Sequence, residues 1–445
     1  MASVNVENRI TRWQQQRWVL DAVIRSVGVE WDQARIASKS KPGGEAAVSD
    51  FRAAARKIKK FDDFHREFAA AARKREGKAL AFEEQGRLVA AGESYIAAAL
   101  LWASACWPIF EDCPTLHEYE ARMNACYAKF MRYAPHPITR AEIAFGKSHL
   151  PGYLHLPRKP APGEKFPCVI SIGGMDGSKE NMVAIYGDRF LTRGLAVLAL
   201  DGPGQAESVG RGLFFTESNF GPAGLAVHDW LAQQPAIDID RLAIRSSSFG
   251  SYFGTVAAAA LGDKVRGYAV AGVCHEPGCY TIFNMASPTF KARFMFMSGY
   301  DDEAKFDQFC KKIDLRPVAP KITCPYMVIA GENDQLSPIE HTERLFELIT
   351  APKRLVIYEG ANHGVGDAPS AEAGEDKNTL LADWLFDRIR GKKAKTERVW
   401  IDSSGRATAK PFAKPARGKA VKAKAAGPKA KTASRAKRPA AARRK

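Results

Sequence analysis

The stretch "AIRSSSFGSYFG", residues 243–254, sets four serines against two glycines at the end of an apolar run. A serine flanked two residues away on both sides by small residues fits a strained strand-to-helix turn that lifts a nucleophile above a sheet. The pentapeptide Ser246-Ser247-Ser248-Phe249-Gly250 meets that pattern with one departure, serine in place of the first glycine. Strand and helix approach closely there, so the flanking side chains must be small. Ser246 would be flanked by Ile244, Ser247 by Arg245 and Phe249, and Ser251 by Phe249 and Phe253, all too bulky. Ser248, flanked by Ser246 and Gly250, is the candidate nucleophile.

Outward from this turn the chain alternates. "PGYLHLP", "FPCVISIGG", "LAVLALDGPG", "RLAIRSSS", "VRGYAVAGV", "PYMVIAGEND" and "KRLVIYEGANH" are short apolar runs. Amphipathic stretches such as "NMVAIYGDRFLTRG" and "GLAVHDWLAQQP" separate them and are expected to be helices, with "LLADWLFDRIR" closing the series. Alternation of this kind predicts a mostly parallel sheet with helices on both faces. Residues before about 135 read differently. "DFRAAARKIKKFDDFHREFAAAARK", "EEQGRLVAAGESYIAAALLWASACW" and "TLHEYEARMNACYAKFMRYA" carry apolar residues at helical spacing. They end at "APHPITRA", where proline and turn residues interrupt the pattern.

Ligands in open parallel sheets bind beyond the carboxyl ends of the strands. Three such ends offer Ser248, then Asp334 in "GENDQLSP", then His363 in "GANHG". Ser, Asp, His is the chain order of α/β-hydrolase triads. A serine hydroxyl needs a histidine to take its proton and a carboxylate to hold the imidazole in the useful tautomer. A tetrahedral intermediate needs two backbone N–H donors. Phe249 supplies one candidate; Met175, after the glycine pair Gly173-Gly174, supplies the other. The turn "DGPGQAES" (201–208) requires no catalytic role in this reading.

Composition narrows the function classes. The eight cysteines form no CxxC pair and no regular spacing, so neither a metal site nor a disulfide framework is expected, and no cofactor is implied. "MASVNVENRITRWQQQRW" lacks an apolar core of the leader type, and no apolar run reads as long enough to span a bilayer. A reduced, cytoplasmic, soluble protein without membrane contact is expected. The formal net charge of +17 comes entirely from residues 391–445, which carry 19 Lys or Arg against Glu397 and Asp402. That Ala/Lys/Pro-rich tail is expected to be disordered, as a solvated extension or a salt-sensitive contact to a polyanion.

"GGMDGSKE", "DGPGQAES", "SSSFG", "GENDQLSP" and "GANHG", with "AAGESYIAAALLWASACWPIF" and "LPGYLHLPRKPAPGEKFPCVIS", resemble the 2,6-dihydroxypseudooxynicotine hydrolase family over residues 80–390. The same layout occurs in fungal polyketide-shortening hydrolases. The resemblance implies hydrolysis of a carbon–carbon bond next to a carbonyl, with ester cleavage in relatives. It places nucleophile, acid and base on Ser248, Asp334 and His363, and implies an isologous dimer through the helical region. The family's additional glutamate has a candidate in Glu276, in "CHEPGCY". The serine at 246 and "SYFG" after the elbow depart from relatives, which continue with glycine.

The expectation is therefore an α/β-hydrolase fold preceded by an all-helical cap: cap 1–138, catalytic domain 139–390, basic tail 391–445. The expected activity is serine hydrolysis of a small acyl or aryl ketone, with a carboxylesterase as the nearest rival and an inactive scaffold tethered to nucleic acid by its tail as the more distant one. The aromatic residues Trp102, Trp107, Phe110, Tyr127 and Phe130 are expected to pack the cap core rather than line a substrate pocket.

Overall fold

The computed structural model describes residues 9–412. Six helices come first: α1 (Thr11–Val27), α2 (Arg35–Ser40), α3 (Gly44–Ala55), α4 (Asp63–Glu84), α5 (Leu88–Cys106) and α6 (Pro114–Met131). Ten strands follow: β1 (Ile138–Phe145), β2 (Ser148–His155), β3 (Phe166–Ile172), β4 (Ala196–Leu200), β5 (Ile237–Ser248), β6 (Val265–Val273), β7 (Tyr326–Gly331), β8 (Lys353–Tyr358), β9 (Glu397–Ile401) and β10 (Ala407–Lys410). Between them lie α7 (Glu207–Gly210), α8 (Phe220–Ala232), α9 (Gly250–Leu261), α10 (Pro288–Ser298), α11 (Glu303–Cys310), α12 (Ile339–Leu348), α13 (Pro369–Ala373) and α14 (Lys377–Ile389).

The strands form one sheet in the order β1-β2-β4-β3-β5-β6-β7-β8-β9-β10. Strands β3 to β9 pair in parallel, while β1, β2 and β10 run antiparallel to their neighbours. Every residue of β4 and β7 is buried, as expected of strands covered on both faces. Helices α8 and α9 lie on one face; α14 packs across β5, β6 and β7 on the other. This is the α/β-hydrolase architecture, preceded by helices.

The cap does not have a core of its own. Trp13, Phe51, Phe64 and Trp102 belong to the same buried apolar cluster as Ile170, Ile244 and Phe253 on the sheet side. Trp102, Phe110, Tyr127 and Phe130 are all buried in that cluster. Helix α5 corrects one sequence expectation. It is 19 residues long with a mean hydropathy of 1.4, long and apolar enough by composition to cross a membrane, and 72% of that window is buried inside the protein.

Three further differences have local causes. The stretch 181–194 is not an α-helix: only Lys179–Asn181 and Leu191–Arg193 make short 3-10 turns. Asp188 accepts hydrogen bonds from the N–H groups of Ala184, Phe190 and Leu191, so its carboxylate competes with the helical ladder. Second, the tail expected to be disordered from residue 391 instead adds β9 and β10. Val399 and Ile401 are buried against the α14 side, and β9 pairs in parallel with β8. The basic segment 413–445 lies outside the described residues. Third, a helical insertion, including a π-helical turn at Thr281–Met285 with α10 and α11, separates β6 from β7.

Candidate active site

The carboxyl ends of β5, β7 and β8 bring together the three residues singled out from the sequence. Ser248 is the last residue of β5, and α9 starts two residues later. Its φ of 55° is rare for a side-chain-bearing residue, and the β5–β6 register shifts between Ser247 and Ser248. The elbow is tight: a Cβ on Gly250 would stand 2.6 Å from the Gly173 carbonyl oxygen and 2.9 Å from that of Ile172. At the other flank, the serine that replaces glycine is fully buried and its Oγ lies 2.8 Å from the Tyr268 hydroxyl. Tyr268 in turn donates to the Ser251 carbonyl at 3.0 Å. The extra hydroxyl is thus absorbed by a partner rather than left unsatisfied.

Ser248 Oγ lies 2.8 Å from His363 Nε2. His363 Nδ1 lies 2.8 and 3.0 Å from the two Asp334 carboxylate oxygens. Asp334 Oδ1 also accepts from the N–H groups of Leu336 and Ser337, at 2.9 and 3.0 Å. Asp334 and His363 are buried, whereas Ser248 is half-buried. Two glycines make the loops meet. A Cβ on Gly331 would fall 2.2 Å from the Ala361 carbonyl oxygen, and one on Gly272, at φ 67°, 2.7 Å from that of His363. Such an arrangement can take a proton from the serine and hold the resulting imidazolium.

The loop after β3 closes the other side. A Cβ on Gly174 would lie 2.9 Å from both the Ser247 carbonyl oxygen and Ser248 Cβ, and 3.4 Å from the Phe249 nitrogen. Gly174 therefore carries the chain into Met175 past Ser248, and the Met175 side chain is buried.

A sequence profile for the esterase FrsA-like family matches residues 32–298, more than half of the chain, and one for the prolyl oligopeptidase family matches residues 223–390. The chain belongs to the esterase FrsA-like family. It is 26% identical over 329 residues to 2,6-dihydropseudooxynicotine hydrolase of Paenarthrobacter nicotinovorans, covering 71% of this chain and 82% of that one. The hydrolase acrC of Aspergillus aculeatus is 27% identical over 277 residues, covering 51% of this chain and 64% of the relative. Among solved structures, that of 2,6-dihydroxy-pseudo-oxynicotine hydrolase superposes with a TM-score of 0.66 at 24% identity, over 80% of this chain and 97% of the other. AbyA5 superposes at 0.55 with 18% identity, over 72% and 89%. This FrsA-like chain is an α/β-hydrolase enzyme.

Glu276 forms no hydrogen bond or ion pair with Ser248, Asp334 or His363 among the described residues. Its carboxylate accepts from the Thr281 N–H at 2.7 Å and lies 3.9 Å from His341 Nε2, so it serves the turn that starts the helical insertion.

Sequence reasoning missed Gln205. Its amide N–H donates to the carbonyls of Gly173 (2.8 Å) and Gly174 (3.1 Å), while its oxygen accepts from Gly202 N–H at 3.0 Å. The turn "DGPGQAES" therefore pins the glycine loop. A buried ionic cluster reinforces the junction: Lys179 Nζ lies 2.6 Å from Glu180, 3.3 Å from Asp201 and 2.7 Å from Glu207. Burial pushes the Asp201 carboxyl up. The Glu207 carboxyl is held down despite its burial, because Lys179 and Arg140 both face it. The signal was present in the acidic and basic residues of "GGMDGSKE" and "DGPGQAES", but nothing in the sequence says that the two turns touch.

Behind the elbow runs a second polar line. Tyr268 stacks on Tyr326 at 4.6 Å. The Tyr326 hydroxyl lies 3.3 Å from His275 Nε2, and His275 Nδ1 lies 3.2 Å from Thr342 Oγ1. The His275 N–H donates to Ser337 Oγ at 3.0 Å, next to the Asp334 turn. Burial pushes the His275 imidazole down to about 3, so it is neutral at neutral pH.

Proposed function

We propose that the chain is a serine hydrolase that cleaves a carbon–carbon bond adjacent to a carbonyl in a small aromatic or 1,3-dicarbonyl-type molecule. The observation that carries the reading is the unbroken line from buried Asp334 through His363 to the strained Ser248. His363 Nε2 takes the Ser248 proton as Oγ bonds to the carbonyl carbon. The oxyanion receives the N–H groups of Phe249 and Met175. Collapse breaks the bond to the leaving carbon, whose electron pair takes the proton from His363. Water, deprotonated by His363, then splits the acyl-enzyme, so one water is consumed and an acid is released. A carbon can leave only if its carbanion is stabilised, which selects acylated phenols and 1,3-diketones. The 2,6-dihydropseudooxynicotine hydrolase relative supports this bond class.

The FrsA-like match, described as an esterase family, favours a second reading, a carboxylesterase with the same three residues. In that case oxygen leaves in place of carbon and every other step stands.

The test is fluorophosphonate labelling of wild type beside Ser248→Ala and His363→Ala, followed by turnover of matched aryl ketones and aryl esters. Labelling lost in both variants supports the serine mechanism, and ketone turnover selects the first reading. A folded wild type that takes no label would refute both and leave the inactive scaffold.

A further inference from the structure

Three residues beyond Met175, the cap and the sheet loops enclose a small cavity. Lys39, Trp107, Glu120, Asp176, Ser178 and Arg293 line it, and its volume is about 30 Å³. A single water needs roughly 10–15 Å³, so the space matches two water-sized positions, the footprint of the two oxygens of one carboxylate.

The charges facing this space are unbalanced in partners. Arg293, on α10, is 7% exposed, and its Nε is buried without a hydrogen-bond partner. Among the described residues no ion pair or hydrogen bond involves its guanidinium; it lies 6.0 Å from the Phe296 ring and within the field of Asp176 and Glu120. Lys39 is half-buried and likewise makes no ion pair among the described residues. Asp176, the obvious counter-charge, is engaged by the Trp107 indole N–H at 2.7 Å. Burial pushes the Glu120 carboxyl up to about 7, and in its protonated form it can donate. Burial, with the nearby Arg293 charge, pushes the Lys39 ammonium down to about 8 against the pull of Asp176. A buried guanidinium without a partner is expensive, and an arriving carboxylate would satisfy it in a bidentate geometry.

We propose that this cavity is a carboxylate subsite in which Arg293, assisted by Lys39, binds an acid group at the end of the substrate's acyl chain. The inference rests on the serine hydrolase reading and adds the substrate class: carboxylate-terminated acyl compounds. A volume of about 30 Å³ admits a terminal group only. Gly177, which lines the cavity, donates its N–H to the Gly174 carbonyl at 3.3 Å, and a Cβ on Gly174 would lie 2.9 Å from Ser248 Cβ, so the cavity borders the loop that faces Ser248.

The experiment compares mono-4-nitrophenyl esters of succinate, glutarate and adipate with the same esters capped as methyl esters, in wild type, Arg293→Met and Arg293→Lys. The readout is the ratio of kcat/KM for acid over capped ester, which cancels any general loss of activity. Wild type should favour the free acid at least about tenfold at one chain length. Arg293→Met should bring that ratio to about one, and Arg293→Lys should retain part of it. A ratio near one at every length in protein whose Ser248 takes the fluorophosphonate label would overturn the subsite while sparing the hydrolase. So would a preference that survives Arg293→Met. Absence of both label and turnover would overturn the hydrolase reading and this inference with it.

Discussion

Gln205 shows how a residue remote in sequence can govern a reacting group. Its amide spans three backbone groups, tying Gly202 to Gly173 and Gly174, and so fixes the loop from which the proposed mechanism draws the Met175 N–H. Gln205→Ala should lower kcat by about tenfold to a hundredfold with little change in KM, because a displaced donor acts on the transition state more than on substrate binding. Steady-state kinetics on an activated ester decides this; a rise in KM at constant kcat would refute the positioning role. Ser246 teaches the complementary point. A glycine-to-serine departure at an elbow needs room and a partner, and Tyr268 provides the partner. The sequence shows the departure but not the tyrosine, which stands 22 residues away on the neighbouring strand.

At the scale of elements, the sheet extends beyond α14, with β9 and β10 following it in the chain. "ERVWI" and "RATAK" flank a "DSSG" turn, a hairpin signal masked by the basic residues around it. Strand β9 covers the edge of β8, buries Val399 and Ile401, and pairs Glu397 with Arg354 at 3.1 Å. Removing residues 391–445 should therefore expose β8 and forfeit roughly 1.5–3 kcal/mol for each of those two side chains. Removing only 413–445 should leave the melting temperature within about 2 °C of the full chain. Thermal unfolding of the two truncations, with fluorophosphonate labelling, checks both; equal stability of the two would show that β9 contributes nothing. The opposite error occurred at 181–194, where the apolar spacing suits a helix but Asp188 satisfies the backbone otherwise.

For the whole molecule, cap and sheet share one apolar cluster, and polar lines run through it. His275 lies on one of them, and its stability contribution has a definite sign. Its folded value is about 3, below the ordinary 6.5. The stability that comes from keeping it neutral is thus full above about pH 6.5 and is lost as pH falls toward 3. Glu120, raised to about 7, acts in the opposite sense, so a wild-type profile alone mixes the two. The difference between wild type and His275→Gln isolates the histidine. Wild type should be the more stable at pH 7.5, and the gap should shrink by about 2 kcal/mol between pH 6.5 and 5. Urea denaturation at each pH measures it; a constant gap would mean that His275 does not titrate in the unfolded chain alone.

Strand periodicity, the alternation with helices and the small-residue flanks of Ser248 are local properties, and the sequence by itself determined them. From these follow the parallel sheet and the choice among four crowded serines. Chain order and strand ends likewise point to Asp334 and His363, which lie in one hydrogen-bonded line with Ser248. Only tertiary structure decided which loops cross, because contact between distant turns leaves no periodic trace. The pinning of Gly173 and Gly174 by Gln205, the Lys179 cluster, the seating of Ser246 on Tyr268 and the unpaired Arg293 are all of this kind. Each depends on two segments being brought within hydrogen-bond reach, or held out of it, by the packing of everything between them.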